Sequence, residues 1–395
     1  MRIAYINSVA GFGSTGRLVY HLSKTEGVTA RIYYGRKKDM TDADTYRMTG
    51  FLGNVRHAAM TFLFDRHGFS NTAEMKRMLE DLHSFQPDLV HLHNLHGYYV
   101  DVETLFAGLK EMGVPVVWTL HDCWSMTGHC AHYDSMCCEG WRTGCQDCRY
   151  VNHYPVSWTK RHTAENYIRK KNTFTSLENL TIVTPSQWLA DQVKQSYLKD
   201  IDTRVIRNGI DLEVFKPTEN DFRKLFQIED KFLILCAASV WTHEKGLHDL
   251  VQFSRMLRED ECLAVVGIQD NQKEMFPHST ITITRTNSQK EMAEMYTAAD
   301  VLLNPTLEDT VPTVNIEALA CGTPVVTYNT GGSPEIPDEK TGIVVKRGSL
   351  SGLRDALDQL RAHPFSAEDC LARAKQFTYS RMLEEYAELY KEKTA

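Results

Sequence analysis

N-P-T-L-E-D-T-V-P-T-V-N-I-E-A-L-A-C-G-T-P-V-V-T-Y-N-T-G-G-S-P-E, residues 304–335, decides how this chain is read. The apolar run 301–304 ends in polar residues, as a strand does on entering a loop. Pro312 or Thr313 then opens a helix that Gly322 and Pro324 close. The helix is short and its opening amides are free, so together with the helix dipole they attract a diphosphate lined by Thr310, Pro312, Thr313 and Val314. Thr313 and Glu317 are four residues apart, hence about 6 Å from each other on one helix face. Glu317 is thereby placed to reach a ribose. Asp309 lies in the preceding loop, on the far side of the phosphates, where it suits hydroxyls of a transferred group; Glu308 beside it is the alternative acid.

On either side of this stretch, apolar runs alternate with helical patterns, the mark of parallel sheets in an α/β protein. Strand candidates are residues 3–7, 31–34, 89–93, 116–120, 180–184 and 204–206 in the first half. The second half offers 232–238, 262–268, 281–284, 301–304, 324–328 and 342–345. Between the sets, N-G-I-D-L-E-V-F-K-P-T-E-N (208–220) is a linker punctuated by Gly209 and Pro217. With 395 residues, 42% of them hydrophobic, the chain has material for two cores, at roughly 100 to 200 residues per domain. The expected division is residues 1–210 and 211–376, with a final helix over 377–395 that crosses back to the first domain. Two Rossmann-like halves with parallel sheets would face each other across a cleft and bind ligands outside the carboxyl ends of their strands.

The net charge of −7 divides unevenly, +3 over residues 1–210 and −10 over the rest. An acidic chain without a strong basic stripe argues against nucleic acid as a partner, including for a zinc-stabilised binder. The mildly basic first half suits anionic lipid headgroups or a lipid phosphate. Lys160, Arg161, Arg169, Lys170 and Lys171 flank one helical segment, to be read as a solvated face or as a contact for a lipid-linked diphosphate. No apolar run is long enough to span a bilayer and M-R-I-A-Y-I-N starts a strand. The expectation is a cytoplasmic protein with peripheral contact at the inner-membrane face.

Several further residues carry candidate chemistry. G-F-G-S-T-G-R (11–17) follows the first strand and brings amides towards a phosphate ahead of a helix expected near Arg17. The same pattern fits a dinucleotide fold, but the acid due about twenty residues later is replaced by Gly35, Arg36, Lys37 and Lys38, which counts against NAD. Lys245, in S-V-W-T-H-E-K-G-L, stands at a helix start where the dipole disfavours a cation, which points to an anionic ligand such as a diphosphate leaving group. His121 ends the strand V-V-W-T-L-H-D; His91 and His93 share one strand face, and Asn94 and His96 follow in the loop.

Six of the ten cysteines fall between Cys123 and Cys148. Cys145-x-x-Cys148 is the tight pair a tetrahedral metal requires, and Cys130 with Cys138 completes a four-sulfur shell around a structural zinc. Cys137, Cys123 and His129 compete as ligands. Free buried thiols and an iron–sulfur centre are the alternatives, and disulfides are disfavoured in a reducing compartment.

Asp309 and Glu317 with seven residues between them, E-A-L-A-C-G-T-P-V from Glu317, G-G-S-P-E ending at Glu335, and the N-G-I-D…F-K-P linker together resemble the family 4 retaining glycosyltransferases of GT-B fold. The resemblance covers nearly the whole chain. It implies transfer of a hexose-type sugar from a nucleotide-diphosphate sugar to a hydroxyl of a glycan, lipid-linked, in bacterial surface polysaccharide or O-antigen synthesis, with no cofactor needed for catalysis. By the same resemblance His121 contacts the sugar or the reacting centre, and Gly13, Ser14 and Gly16 cover the donor phosphates. Thr284 and Arg285 would lie in the loop that meets the nucleobase, while Asn94 and His96 would contact acceptor or donor. The chain departs from the family in having Asp309 where Glu is usual, and Val240 and Trp241 where an Arg precedes the lysine; Arg285 or His243 would substitute. A sugar-nucleotide epimerase or hydrolase and a non-catalytic sugar-nucleotide binder are the competing readings.

Overall fold

The computed structural model describes residues 1–39, 42–159 and 161–395. They form two compact units, Met1–Arg207 with Leu383–Ala395, and Asn208–Met382. The first is built on seven strands: β1 (Arg2–Asn7), β2 (Thr29–Tyr34), β3 (Thr45–Arg47), β4 (Leu89–Leu92), β5 (Val116–Thr119), β6 (Leu180–Thr184) and β7 (Asp202–Val205). Their order is β3-β2-β1-β4-β5-β6-β7, and every neighbouring pair is parallel. β4, β5 and β6 are buried at every position, because a parallel sheet covered on both faces needs unbroken apolar runs. β3 has no counterpart among the runs read from sequence: its T-Y-R is a three-residue edge strand with no core-facing alternation.

The second unit holds β8 (Phe232–Ala237), β9 (Glu261–Val266), β10 (Ile281–Ile283), β11 (Val301–Asn304), β12 (Val325–Tyr328) and β13 (Gly342–Val345), in the order β10-β9-β8-β11-β12-β13. Side chains of one strand alternate between two cores. Leu233 and Leu235 pack on one face with Leu302 and Val325, while Ile234 and Cys236 pack on the other with Val301, Leu303 and Val326. The winding reverses once in each sheet, between β1 and β4 and between β8 and β11. Loops leaving the carboxyl ends of such a strand pair diverge and open a crevice.

The linker is anchored by its backbone. Ile210 N–H donates to the Phe377 carbonyl at 2.8 Å, and the Ile210 carbonyl accepts from Tyr379 N–H at 3.1 Å. A Cβ on Gly209 would stand 2.5 Å from the Thr378 carbonyl oxygen, so the contact requires glycine. The last helix, Tyr379–Thr394, begins in the second unit and ends in the first. There the Tyr390 hydroxyl lies 2.7 Å from His91 Nδ1 and the Tyr386 hydroxyl 2.8 Å from Thr119 Oγ1.

Candidate functional site

In the second unit, Lys245, Asp309 and the helix opening at Thr313 lie at the switch point. Lys245 follows β8 and Asp309 follows β11, and Lys245 Nζ donates to Asp309 Oδ2 at 2.6 Å. Backbone contacts stitch the two loops together: Leu307 N–H donates to the Glu244 carbonyl at 2.8 Å, and the Thr306 hydroxyl reaches the same oxygen at 3.3 Å. Gly246 permits this approach, with φ at +80° and the Pro305 carbonyl oxygen 2.0 Å from where a Cβ would stand. The loop after β12 closes on the same point, since Gly332 N–H donates to the Asp309 carbonyl at 3.1 Å. Asp309 Oδ1 also accepts from Val311 N–H at 3.2 Å, so the residue is held through main chain and side chain alike. Glu308, the alternative acid, is buried, and Asp309 is the one that meets the lysine.

The helix opens at Thr313 and runs to Ala320. Pro312, its N-cap, provides no side-chain acceptor for the leading amides. Thr310 and Pro312 are buried there, while Thr313 and Val314 are half-buried. One turn on, Glu317 Oε2 accepts from the Tyr296 hydroxyl at 2.9 Å. Burial, and then the Glu317 charge, push the Tyr296 pKa well above its ordinary value, so the phenol remains a donor. Tyr296 belongs to the buried face of the helix Gln289–Ala298 and carries no motif of its own in the sequence.

Other expected donor contacts lie apart from this point. Thr284 and Arg285 are exposed beyond the edge strand β10, two strands from β8, and the Thr284 hydroxyl approaches Asp270 Oδ1 at 3.5 Å. Where the resemblance expects an arginine, Val240 is exposed; Trp241 is buried and donates its indole N–H to the Val266 carbonyl at 2.8 Å. His243 is exposed.

In the first unit, the loops after β1, β4 and β5 carry the remaining candidates. The helix after β1 starts at Gly13 and not near Arg17, which puts Gly13, Ser14 and Gly16 in its first turn. Gly11 and Gly13 adopt φ of +66° and +67°, which lets the chain turn into the helix at once. Gly16 is packed closely: a Cβ there would stand 3.1 Å from Val9 Cγ2 and 3.2 Å from the Gly11 nitrogen. Asn94 N–H donates to Asn7 Oδ1 at 3.3 Å and so ties the β4 loop to the end of β1.

His121 and His93 stack, with Nε2 of the first 3.1 Å from Nδ1 of the second. Burial lowers the His121 pKa to about 4 against the opposing charge of Asp122, so the ring is neutral near pH 7. His96 Nε2 lies 2.6 Å from Asp122 Oδ2, and its Nδ1 lies 3.0 Å from the Tyr154 hydroxyl. Burial opposes ionisation of Asp122, but the His96 and His132 rings and the Trp124 amide outweigh it and hold the carboxyl well below the usual range. Asp122 and Tyr154 are additions to the candidates read from sequence. Asp122 was signalled only by its place beside His121, and nothing local marks Tyr154.

Among the cysteines, Cys130, Cys138, Cys145 and Cys148 line one cavity of about 220 Å³ together with Tyr133 and Trp141. Cys137 is exposed, Cys123 is buried, and neither lines it. His129 borders the cavity, with Nδ1 2.6 Å from Asp65 Oδ1.

The basic helical segment is not the continuous cationic face that its composition suggests. Lys160 lies outside the described residues. Lys170 is 1% exposed, donates to the Trp124 and Thr127 carbonyls at 2.9 and 3.1 Å, and sits 3.6 Å over the Trp124 ring. Arg169 pairs with Glu103 at 2.6 Å. The helix Thr163–Phe174 turns Thr163, Asn166, Lys170 and Phe174 inward at helical spacing, which draws Lys170 into the core.

Comparison with known proteins accords with this architecture. Residues 15–214 match the family described as Glycosyltransferase Family 4, and residues 231–363 match Glycosyl transferases group 1. WcaC of Escherichia coli (strain K12), whose assigned role is colanic acid biosynthesis glycosyl transferase, is 27% identical over 362 residues, covering 88% of this chain and 85% of WcaC. Sucrose-phosphate synthase of Thermosynechococcus elongatus is similar in structure, at 16% identity and a TM-score of 0.69, covering 99% of this chain and 98% of that one. HepE of Anabaena, solved in complex with UDP-glucose, has the same identity of 16% and TM-score of 0.69, covering 99% of this chain and 100% of its own.

Proposed function

The chain belongs to glycosyltransferase family 4, and on that premise we propose that it transfers a sugar, with retention of anomeric configuration, from a nucleotide-diphosphate sugar to a hydroxyl of a lipid-linked glycan in bacterial surface polysaccharide synthesis. The observation that carries this reading is the Lys245–Asp309 pair at the β8/β11 switch point, beside a helix start whose N-cap, Pro312, supplies no side-chain acceptor. The leading amides around Thr313 and Val314 receive the diphosphate. Lys245 balances the negative charge that grows on it as the glycosidic bond breaks. Asp309 orients hydroxyls of the sugar, and Glu317, steadied by Tyr296, receives the ribose. HepE, of like fold, was solved with UDP-glucose, which supports a nucleoside diphosphate sugar as the donor class.

In the proposed reaction, the bond from the anomeric carbon to the β-phosphate oxygen breaks and a bond to the acceptor oxygen forms on the same face. The acceptor proton passes to the departing phosphate, so no side chain acts as nucleophile and no cofactor is consumed. His121, neutral at working pH, hydrogen-bonds to the sugar, and Asn94 and His96 contact the acceptor or the donor. The assigned role of WcaC supports polysaccharide synthesis as the setting.

Peripheral membrane contact is part of the proposal, and the helix Phe51–Phe64 supports it better than the basic segment does. Phe51 is 74% exposed, Leu52 81%, and Trp158, stacked on Phe62, 77%. Such an apolar face suits the headgroup boundary of the cytoplasmic leaflet. Among the described residues no helix is long and apolar enough to cross a membrane.

The test incubates the full chain with a panel of sugar nucleotides and lipid-linked glycan acceptors. Glycosylated acceptor whose new linkage keeps the donor's anomeric configuration by NMR supports the reading. An inverted linkage overturns retention, altered donor without acceptor product identifies an epimerase or hydrolase, and binding without turnover identifies a sugar-nucleotide binder. Vesicle flotation tests the membrane contact: Leu52→Ser should reduce it, and equal flotation of both proteins would exclude this helix.

A further inference from the structure

Cys130, Cys138, Cys145 and Cys148 come from three separate stations of the chain yet line one cavity, while the two other cysteines of the segment stay out of it. The choice among six thiols that the sequence left open is thus narrowed to one four-sulfur set.

The backbone around these thiols has the features of a ligand turn. Gly128 N–H donates to Cys145 Sγ at 3.1 Å and orients the sulfur, while burial raises the thiol's pKa to about 11. Gly144, Cys145 and Asp147 have φ of +107°, +54° and +52°. Two non-glycine residues held left-handed within three positions are uncommon and mark a backbone constrained for a purpose. Among the described residues between Met126 and Thr163, the four-residue helix Gly140–Thr143 is the only regular structure. Long loops with so little structure of their own need a staple to hold one conformation. Trp141, buried and stacked on Tyr133 with ring centroids 4.8 Å apart, closes one wall.

Charge is accommodated as well. A tetrathiolate zinc carries net negative charge; burial lowers the Lys170 pKa to about 7, and charge on Cys145 and Cys130 draws it back towards the ammonium form. Among the described residues, no three His, Cys, Asp or Glu side chains are already gathered closely enough to hold a metal. The thiols must therefore rotate inward from the cavity walls to complete the shell.

We propose that Cys130, Cys138, Cys145 and Cys148 bind one structural zinc ion that fixes the loop following β5. With four protein ligands the ion has no open position, so it braces the fold and takes no part in transfer.

The experiment uses the full chain purified without chelator, its metals measured by mass spectrometry and its zinc released by mercurial titration of thiols. The expected result is about one zinc per chain, released as four thiols react. It should be lost in Cys145→Ser and Cys130→Ser and kept in Cys137→Ser. Less than about half an equivalent of zinc, iron in its place, or equal loss in Cys137→Ser overturns the proposal. Should the serine variants fail to fold, cobalt reconstitution of the natural chain decides. The visible bands of tetrahedral cobalt–thiolate support the site, and octahedral or absent bands refute it. These readouts do not depend on glycosyl transfer, so they stand apart from the fate of the catalytic reading.

Discussion

Lys245 and Asp309, 64 residues apart in the chain, share a 2.6 Å ion pair where the β8 and β11 loops meet. At this distance the lysine is not an isolated cation awaiting a phosphate, because the acid fixes its position. If the two act as a unit on the donor, removing either should forfeit most of what removing both does. Lys245→Ala is expected to lower kcat/KM for the donor roughly 100-fold, with kcat down and KM up. Asp309→Asn should fall by a similar factor, and the double variant only slightly further. Steady-state kinetics on all three provides the cycle, and losses that simply multiply would show that the residues work separately.

Tyr296 acts on Glu317 from within the core. Tyr296→Phe removes the hydroxyl that bonds Glu317 Oε2 and leaves the packing of the ring in place. A hydrogen bond of this kind is worth about 1 kcal/mol, so donor KM should rise about 5-fold, with kcat little changed. The check is donor titration of both proteins, and an unchanged KM would mean that Glu317 needs no help in meeting its ligand.

Gly246 and Gly13 separate two demands that glycine meets. Both have positive φ, but a Cβ on Gly246 would strike the Pro305 carbonyl oxygen at 2.0 Å, whereas one on Gly13 meets nothing within 4 Å. Gly13→Ala should therefore cost only the left-handed backbone term, about 1 kcal/mol. Gly246→Ala must also part the two loops of the site, at a cost above about 3 kcal/mol, with donor affinity lost. Urea denaturation of the two variants gives the comparison, and equal losses would refute the steric account.

The strands and the helix at Thr313 were legible because their signals are local: apolar runs for sheets covered on both faces, and Pro312 with Gly322 for the helix limits. What stayed hidden depends on partners distant in sequence. Asp122 meets His96 across 26 residues, and Tyr296 meets Glu317 across 21. Lys170 is an intermediate case, since its spacing from Thr163, Asn166 and Phe174 gave a helical stripe that its charge concealed. The start of the helix at Gly13 was misplaced because left-handed glycines can turn a loop into a helix without any capping residue.

Five histidines of the first unit set its response to acid. Burial lowers the pKa of His57 to about 3 and of His121 to about 4, and it lowers His67, His91 and His93 well below the ordinary value. In the unfolded chain each titrates near about 6.5. Between about pH 6.5 and about pH 4 the unfolded chain therefore binds more protons than the folded one, so stability is fully present above this window and is lost as pH falls through it. Each histidine contributes a slope of up to roughly 1.4 kcal/mol per pH unit until its folded pKa is reached. His91 lies 2.7 Å from the Tyr390 hydroxyl, so a charge on this buried ring should loosen the end of the last helix together with the sheet. Urea midpoints measured from about pH 7.5 down to about pH 5 should fall steadily, and hydrogen exchange should show the loss in the first unit before the second. A flat profile over that range would mean that these rings are more accessible to protons than their burial implies.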